Sequence, residues 1–227
     1  QLTVPGYVAS TGIAMTVDKF WSIDTDIKEW DIVLNPFAAI SNRTISLPGG
    51  FTTSSGIVAL NDTTLIGIND TASPQEVTEL DITTLSASGT IKFTLQTDRA
   101  ANSNPLYTQT GQIIIINRDT VSSDYYISQY NYYTGNLELD INIGSVEGVT
   151  LFECDCNIYV TDAFGHLYAI IKTPPYVLLD LGYSLTLSPI YSATQIGTCV
   201  VSPIVQDITT TTTTTIVPTT PTTTTLP

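Results

Sequence analysis

A six-residue segment returns at a fixed interval, and that return limits the fold more than any other feature of the chain. Ile27-Lys28-Glu29-Trp30-Asp31-Ile32 reappears fifty residues on as Val77-Thr78-Glu79-Leu80-Asp81-Ile82, and after another fifty as Ile127-Ser128-Gln129-Tyr130-Asn131-Tyr132. A fourth, shorter copy aligns Phe20-Trp21-Ser22-Ile23-Asp24 through Ile32 without gaps on Ile158-Tyr159-Val160-Thr161-Asp162 through Ile170. Periods of this size belong to stacked supersecondary units, none of which buries its apolar face alone.

The flanks of each copy say what the unit is. Upstream, a glycine precedes an apolar run: Gly12-Ile13-Ala14-Met15, Gly56-Ile57-Val58-Ala59, Gly111-Gln112-Ile113-Ile114 and Gly148-Val149-Thr150-Leu151. Such runs are expected of a first strand buried on both faces. Downstream lie Arg43 to Leu47, Thr90 to Leu95, Asn136 to Ile141 and Tyr176 to Leu181, where alternation predicts a last strand with one wet face. Turn-forming clusters separate the runs, among them Asp24-Thr25-Asp26, Asn69 to Pro74, Tyr133 to Asn136 and Phe164-Gly165-His166. No segment sustains a helical period, and Thr, Ile, Val and Tyr favour strands.

Each repeat therefore reads as four short strands, which predicts an all-β, propeller-like fold. Four full blades are expected at 10–48, 54–97, 108–145 and 148–187, and a partial fifth at 190–206, within a domain covering 1–206. Ser192 to Val200 reads as the first strand of that fifth unit. Gln1 to Val8 and Pro203 to Gln206 remain to complete it, unless a neighbouring copy supplies the missing strands.

Ile158-Tyr159-Val160-Thr161-Asp162, followed by Gly165 and Leu167-Tyr168-Ala169-Ile170, resembles the YVTN-type β-propeller repeat of surface-layer and other extracellular proteins. The fourth repeat carries the match and the others follow it loosely. The resemblance implies a fold and an extracellular setting, not a chemistry.

Residues 207–227 are a different material. Thirteen of the nineteen residues from 209 to 227 are Thr, interrupted by Pro218, Pro221 and Pro227. With nothing to bury and with prolines favouring extended backbone, this tract is expected to be a stiffened linker or stalk. Its exposed hydroxyls, Thr209, Thr210, Thr211, Thr212, Thr213, Thr214 and Thr215 among them, are candidate O-glycan acceptors. A start at Gln1 with no basic and apolar leader, and an end inside the tract, fits a mature or excerpted part of a longer chain.

Charge narrows the partners. Seven Lys and Arg against twenty-one Asp and Glu give a net charge of −14, with only 12% of residues charged. Phosphate recognition needs clustered cations, and these are scattered, so nucleic acid is not an expected partner, nor is a polybasic membrane contact. No apolar run approaches the eighteen residues of a membrane helix, and membrane insertion is not expected.

The chemistry-bearing residues are few. Three cysteines, Cys154, Cys156 and Cys199, lack zinc-site spacing; a disulfide from Cys154 or Cys156 to Cys199 would staple the fourth unit to the incomplete fifth. Asn42, Asn61 and Asn69 head N-x-Thr sequons and are candidate N-glycan sites. His166 is the single histidine and falls in a turn. The carboxylates Asp24, Asp26, Glu29 and Asp31 recur in part with the repeat, which assigns them to blade architecture. No catalytic, cofactor or metal site is expected. Tyrosines crowd the third repeat, and alternation sets Tyr126, Tyr130 and Tyr132 on one face as a candidate contact surface for sugars or protein.

The expected function is a non-enzymatic structural protein displayed outside a cell or on a virion: a tail, fibre, decoration or filament component. It would assemble with itself or with other surface proteins through the β domain and be tethered by its Thr-rich stalk. The alternative is a carbohydrate-binding adhesin using the propeller loops and the Tyr-rich repeat.

Overall fold

The computed structural model describes residues 12–34, 37–52, 56–154, 157–162, 164–171 and 177–184. The expected partial fifth blade, the disulfide pairing and the Thr/Pro tract lie outside the described residues.

Four antiparallel sheets follow one another along the chain. The first holds β1 (Ile13–Met15), β2 (Lys19–Ile23), β3 (Ile27–Leu34) and β4 (Phe37–Ile45) in that order. The second holds β5 (Ile57–Asn61), β6 (Thr64–Asn69), β7 (Glu76–Asp81) and β8 (Ser88–Thr94). In the third, β9 (Arg99–Ala101) and β10 (Leu106–Tyr107) share the innermost place against β11 (Gln112–Asp119), followed by β12 (Tyr125–Asn131) and β13 (Leu137–Gly144). The fourth holds β14 (Gly148–Cys154), β15 (Asn157–Asp162), β16 (His166–Ile171) and β17 (Val177–Ser184). Four such meanders arranged in a ring make a β-propeller, and there is no helix among the described residues.

The fifty-residue period resides in the third strands of blades one to three, and burial explains why. Ile27, Val77 and Ile127 each project into the cluster shared with the following blade. Leu80 and Tyr130, with Ile82 and Tyr132, project into the cluster shared with the preceding blade. Trp30 is buried in the corresponding cluster of blade one, with Phe20 and Ala39. Residues an odd number apart on a strand face opposite ways, so a spacing of three divides the side chains between two interfaces.

Three sequence expectations need correction. The Gly111 run is the second strand of its blade, β11, because the place beside the axis is taken by β9 and β10. Double-sided burial does not mark the first strand of blades one to three. β6 and β11 are buried at nearly every interior position, whereas β1, β5 and β9 are only partly buried; in blade four the first strand, β14, is buried at most of its described positions, as expected. An innermost strand has one in-sheet neighbour and lies beside the ring axis, while the second strand is covered on every side. The ungapped alignment of repeat four also slips in its third strand. Trp21 pairs with Glu29 but Tyr159 pairs with Ala169, so a turn two residues longer moves Ala169, not Leu167, into the place of Glu29.

Polar links supplement the apolar clusters. Ser46 N–H donates to Leu85 C=O at 2.9 Å and Ala87 N–H to Ser46 C=O at 2.8 Å, joining blades one and two. Asn104 Oδ1 accepts from Ile57 N–H at 3.1 Å, and Gln75 Oε1 from Ala101 N–H at 2.7 Å, joining blades two and three. Gln109 N–H donates to Glu153 Oε2 at 3.0 Å between blades three and four.

Gly56 stands where blade two meets blade three: a Cβ added there would lie 2.7 Å from the Ser103 carbonyl oxygen. Backbone cannot rotate away as a side chain can, so Gly56→Ala is expected to cost about 1–3 kcal/mol in urea denaturation. Gly49→Ala, which meets nothing within 4 Å, is the matched substitution and should leave the midpoint unchanged.

Candidate functional site

The charged and amide side chains gather at one repeated place, between the third and fourth strands of blades one to three. In blade one, Glu29 is buried on β3 and takes four donors. Lys19 Nζ at 2.7 Å and Asn42 Nδ2 at 2.9 Å reach Oε1; Trp21 Nε1 at 2.9 Å and an Arg43 Nη at 3.0 Å reach Oε2. Arg43 also donates to the carbonyls of Ile82 at 2.7 Å and Thr83 at 3.2 Å, so the cluster ties blade one to blade two. Burial raises the cost of the Glu29 charge, but the bonds from Arg43, Lys19 and Trp21 outweigh it and hold its carboxyl below the ordinary 4.5.

Glu79 occupies the same place in blade two. It accepts from the Tyr132 hydroxyl, which belongs to blade three, and lies 3.5 Å from Lys92 Nζ. The Lys92 ammonium sits 4.7 Å from the centre of the Tyr132 ring. Desolvation, followed by the bond to Glu79, pushes the Tyr132 hydroxyl well above its ordinary value.

In blade three the polarity is reversed. The third strand now supplies amides, and Glu138 on β13 accepts from Asn131 Nδ2 at 3.1 Å, Gln129 Nε2 at 3.3 Å and Gln112 Nε2 at 3.1 Å. Those three bonds, Asn131 first, lower the Glu138 carboxyl. In each case a bulge presents the outer partner. Register shifts leave Asn42, Lys92 and Glu138 as the extra residues of β4, β8 and β13, each turned back toward its third strand.

Blade four and the flank of blade three carry two further groups. Asp162 accepts from the Phe164 and His166 amides at 2.9 Å, from His166 Nδ1 at 2.8 Å and from the Tyr168 hydroxyl at 3.3 Å, so it organises the β15–β16 turn. Arg99 is buried 3.4 Å from Asp119 and 3.5 Å from Asp140, with its guanidinium 3.3 Å from the centre of the Tyr126 ring. Asp140 in turn accepts from Ser128 at 2.5 Å.

The sequence-selected residues distribute as follows. Tyr130 and Tyr132 are only 2% and 6% exposed and pack against blade two, so these two of the expected contact residues are interblade packing; Tyr126 is half-buried and covers Arg99 of its own blade. A propeller sheet is covered on both faces, so alternation does not select a wet one. Tyr133 is the ring of that cluster that reaches solvent. Two sequons serve turns. Asn61 Oδ1 accepts from the amide and hydroxyl of Thr63, and Asn69 Oδ1 from those of Thr71 and from Ala72 N–H. The amide nitrogen of Asn42 is engaged by Glu29 and by Asp31 at 3.0 Å. Asp24 lies 3.4 Å from Lys28, and Asp31 lies 3.1 Å from Lys19. No group of three or more His, Cys, Asp or Glu positioned for a metal ion occurs among the described residues.

No family model matches the chain, and no curated protein matches it. Solved structures do. A hydrazine synthase chain from Kuenenia stuttgartiensis superposes with a TM-score of 0.51 at 12% identity, over 80% of this chain and 56% of that one. The computationally designed Ika4 protein gives 0.45 at 17%, covering 74% of this chain and 94% of that one. A Lactobacillus plantarum protein gives 0.48 at 13%, over 78% and 57%. The first of these bears on the fold alone, and this chain spans little more than half its length.

Removing the Glu29 carboxylate strands two cations. Glu29→Ala is expected to cost about 3 kcal/mol, the low end for a broken buried pair, because Lys19 and Arg43 keep some water contact. A carboxyl lowered on folding stabilises above its unfolded value and loses that contribution as pH falls through the folded one. Wild-type stability should therefore drop below about pH 4.5, and the drop should be shallower in Glu29→Gln, measured by urea denaturation across pH 2.5–7.

Proposed function

We propose that this chain is a non-catalytic structural module displayed outside a cell or on a virion, as a tail, fibre, decoration or filament component. Its β-propeller head makes assembly contacts, and its Thr/Pro-rich tract acts as a stalk. One observation carries the reading: the outermost strand of every blade exposes a large apolar side chain. These are Ile40 on β4 at 56%, Ile91 on β8 at 57%, Leu137 on β13 at 38% and Leu179 on β17 at 48%. Outer strands are sheet edges, and apolar residues repeated around the rim suit contact with other copies or other surface proteins.

Three further points support it. The carboxylates and cations of the first two clusters are paired within their blades, and Arg43 and Tyr132 carry the clusters across to a neighbouring blade, a use that serves rigidity. The YVTN-type resemblance of the fourth repeat accords with an extracellular surface-layer setting. The stalk composition accords with O-glycosylation and with the poly-Thr linkers of phage virion proteins.

A carbohydrate-binding adhesin is the second reading. Tyr133 favours it: the ring is 74% exposed and held edge-on against Tyr132 at 5.3 Å. Electron microscopy of native material decides between the two. Ordered copies on particles or filaments are expected, whereas dispersed single heads that bind sugars on a glycan array would establish the adhesin instead.

A further inference from the structure

We infer that copies of this chain join head to tail through their rims, β8 of one copy lying against β13 of the next; the inference rests on the assembly reading above. Both strands close their sheets, each paired on one side only, to β7 and to β12 respectively. Each leaves an outward row of backbone donors and acceptors. Their lengths match, at seven and eight residues. β8 is the more open of the two, exposed at every position except Phe93.

Charge and openness together favour the pairing. Among the other outer strands, β4 carries one cation, Arg43, and β17 one carboxylate, Asp180, but Arg43 is held by Glu29 and the Ile82 carbonyl, and β13 carries two carboxylates. β8, Ser-Gly-Thr-Ile-Lys-Phe-Thr, contains one cation, Lys92, and no carboxylate. β13, Leu-Glu-Leu-Asp-Ile-Asn-Ile-Gly, contains Glu138 and Asp140 and no cation. The carboxylate of Glu138 is held by three neutral amides. In a molecule of net charge −14, most like-for-like contacts set acid against acid. β13 against β13 would oppose two carboxylates to two, and β8 against β8 would oppose lysine to lysine. β8 against β13 sets opposite signs together and brings Ile91 and Leu137, both exposed, to one seam.

Because the two surfaces differ and sit on consecutive blades, the contact is heterologous. Every copy keeps one free β8 and one free β13, so addition continues until a ring closes or a filament grows.

The test uses the full chain, mixed from ¹⁴N- and ¹⁵N-labelled preparations and treated with a carbodiimide, which joins an ammonium to a carboxylate without a spacer. Mixed-label peptides linking Lys92 to Glu138 or Asp140 are expected, while same-label Lys92–Glu79 links report the contact within one chain. In sedimentation equilibrium, Ile91→Asp, which sets acid against the β13 carboxylates, and Leu137→Lys, which sets a cation against Lys92, should each weaken self-association at least tenfold and leave the thermal midpoint unchanged. Assemblies whose mixed-label links fall elsewhere would overturn this seam while leaving the assembly reading intact. A chain that stays monomeric at millimolar concentration would overturn both.

Discussion

Blades two and three of this propeller are sheets with two apolar faces, each face packed against a neighbouring blade. The third strand bears most of that constraint. Ile27, Val77 and Ile127 look to the next blade, and Trp30, Leu80 and Tyr130 look the other way. A blade thus completes its neighbour's core as much as its own, and stability belongs to the interfaces more than to the sheets.

The polar chemistry follows from this geometry. Once both faces are committed to packing, charged side chains of blades one to three gather between the third and fourth strands. There Glu29, Glu79 and Glu138 each meet donors from two or three strands. The partners change from blade to blade, with Asn42 and Arg43, then Lys92 and Tyr132, then Gln112, Gln129 and Asn131. Two of the three clusters reach across an interface, so electrostatics reinforces the junctions that apolar burial creates. Two of the cations, Arg43 and Lys92, stand at junctions between blades.

Much of the architecture was legible in the sequence because the constraint is strict where it applies. A third strand covered on both sides must be apolar at two spaced positions, and that requirement kept the period visible through changes of Trp to Leu to Tyr. Other features were not legible. The first and second strands look alike as short apolar runs, and only the ring shows that in blades one to three the axis leaves the first one partly open. Tyr130 and Tyr132 read as surface because their hydroxyls are polar, yet Tyr132 carries its hydroxyl to Glu79 through the interface. The clusters escaped notice because bulges displace Asn42, Lys92 and Glu138 from simple cross-strand register, and because blade three exchanges the roles of acid and amide. The recurrence of Glu29 as Glu79 together with Asn42 as Lys92, both at fifty residues, was the signal that could have revealed them.

The blades are energetically one body because the third strands β7 and β12 each serve two interfaces. Native-state hydrogen exchange followed by mass spectrometry addresses this directly. Amides of β3, β7 and β12 should exchange with one common opening free energy equal to that of global unfolding. Separate values, stepping from blade to blade along the chain, would show independently stable sheets and contradict the account.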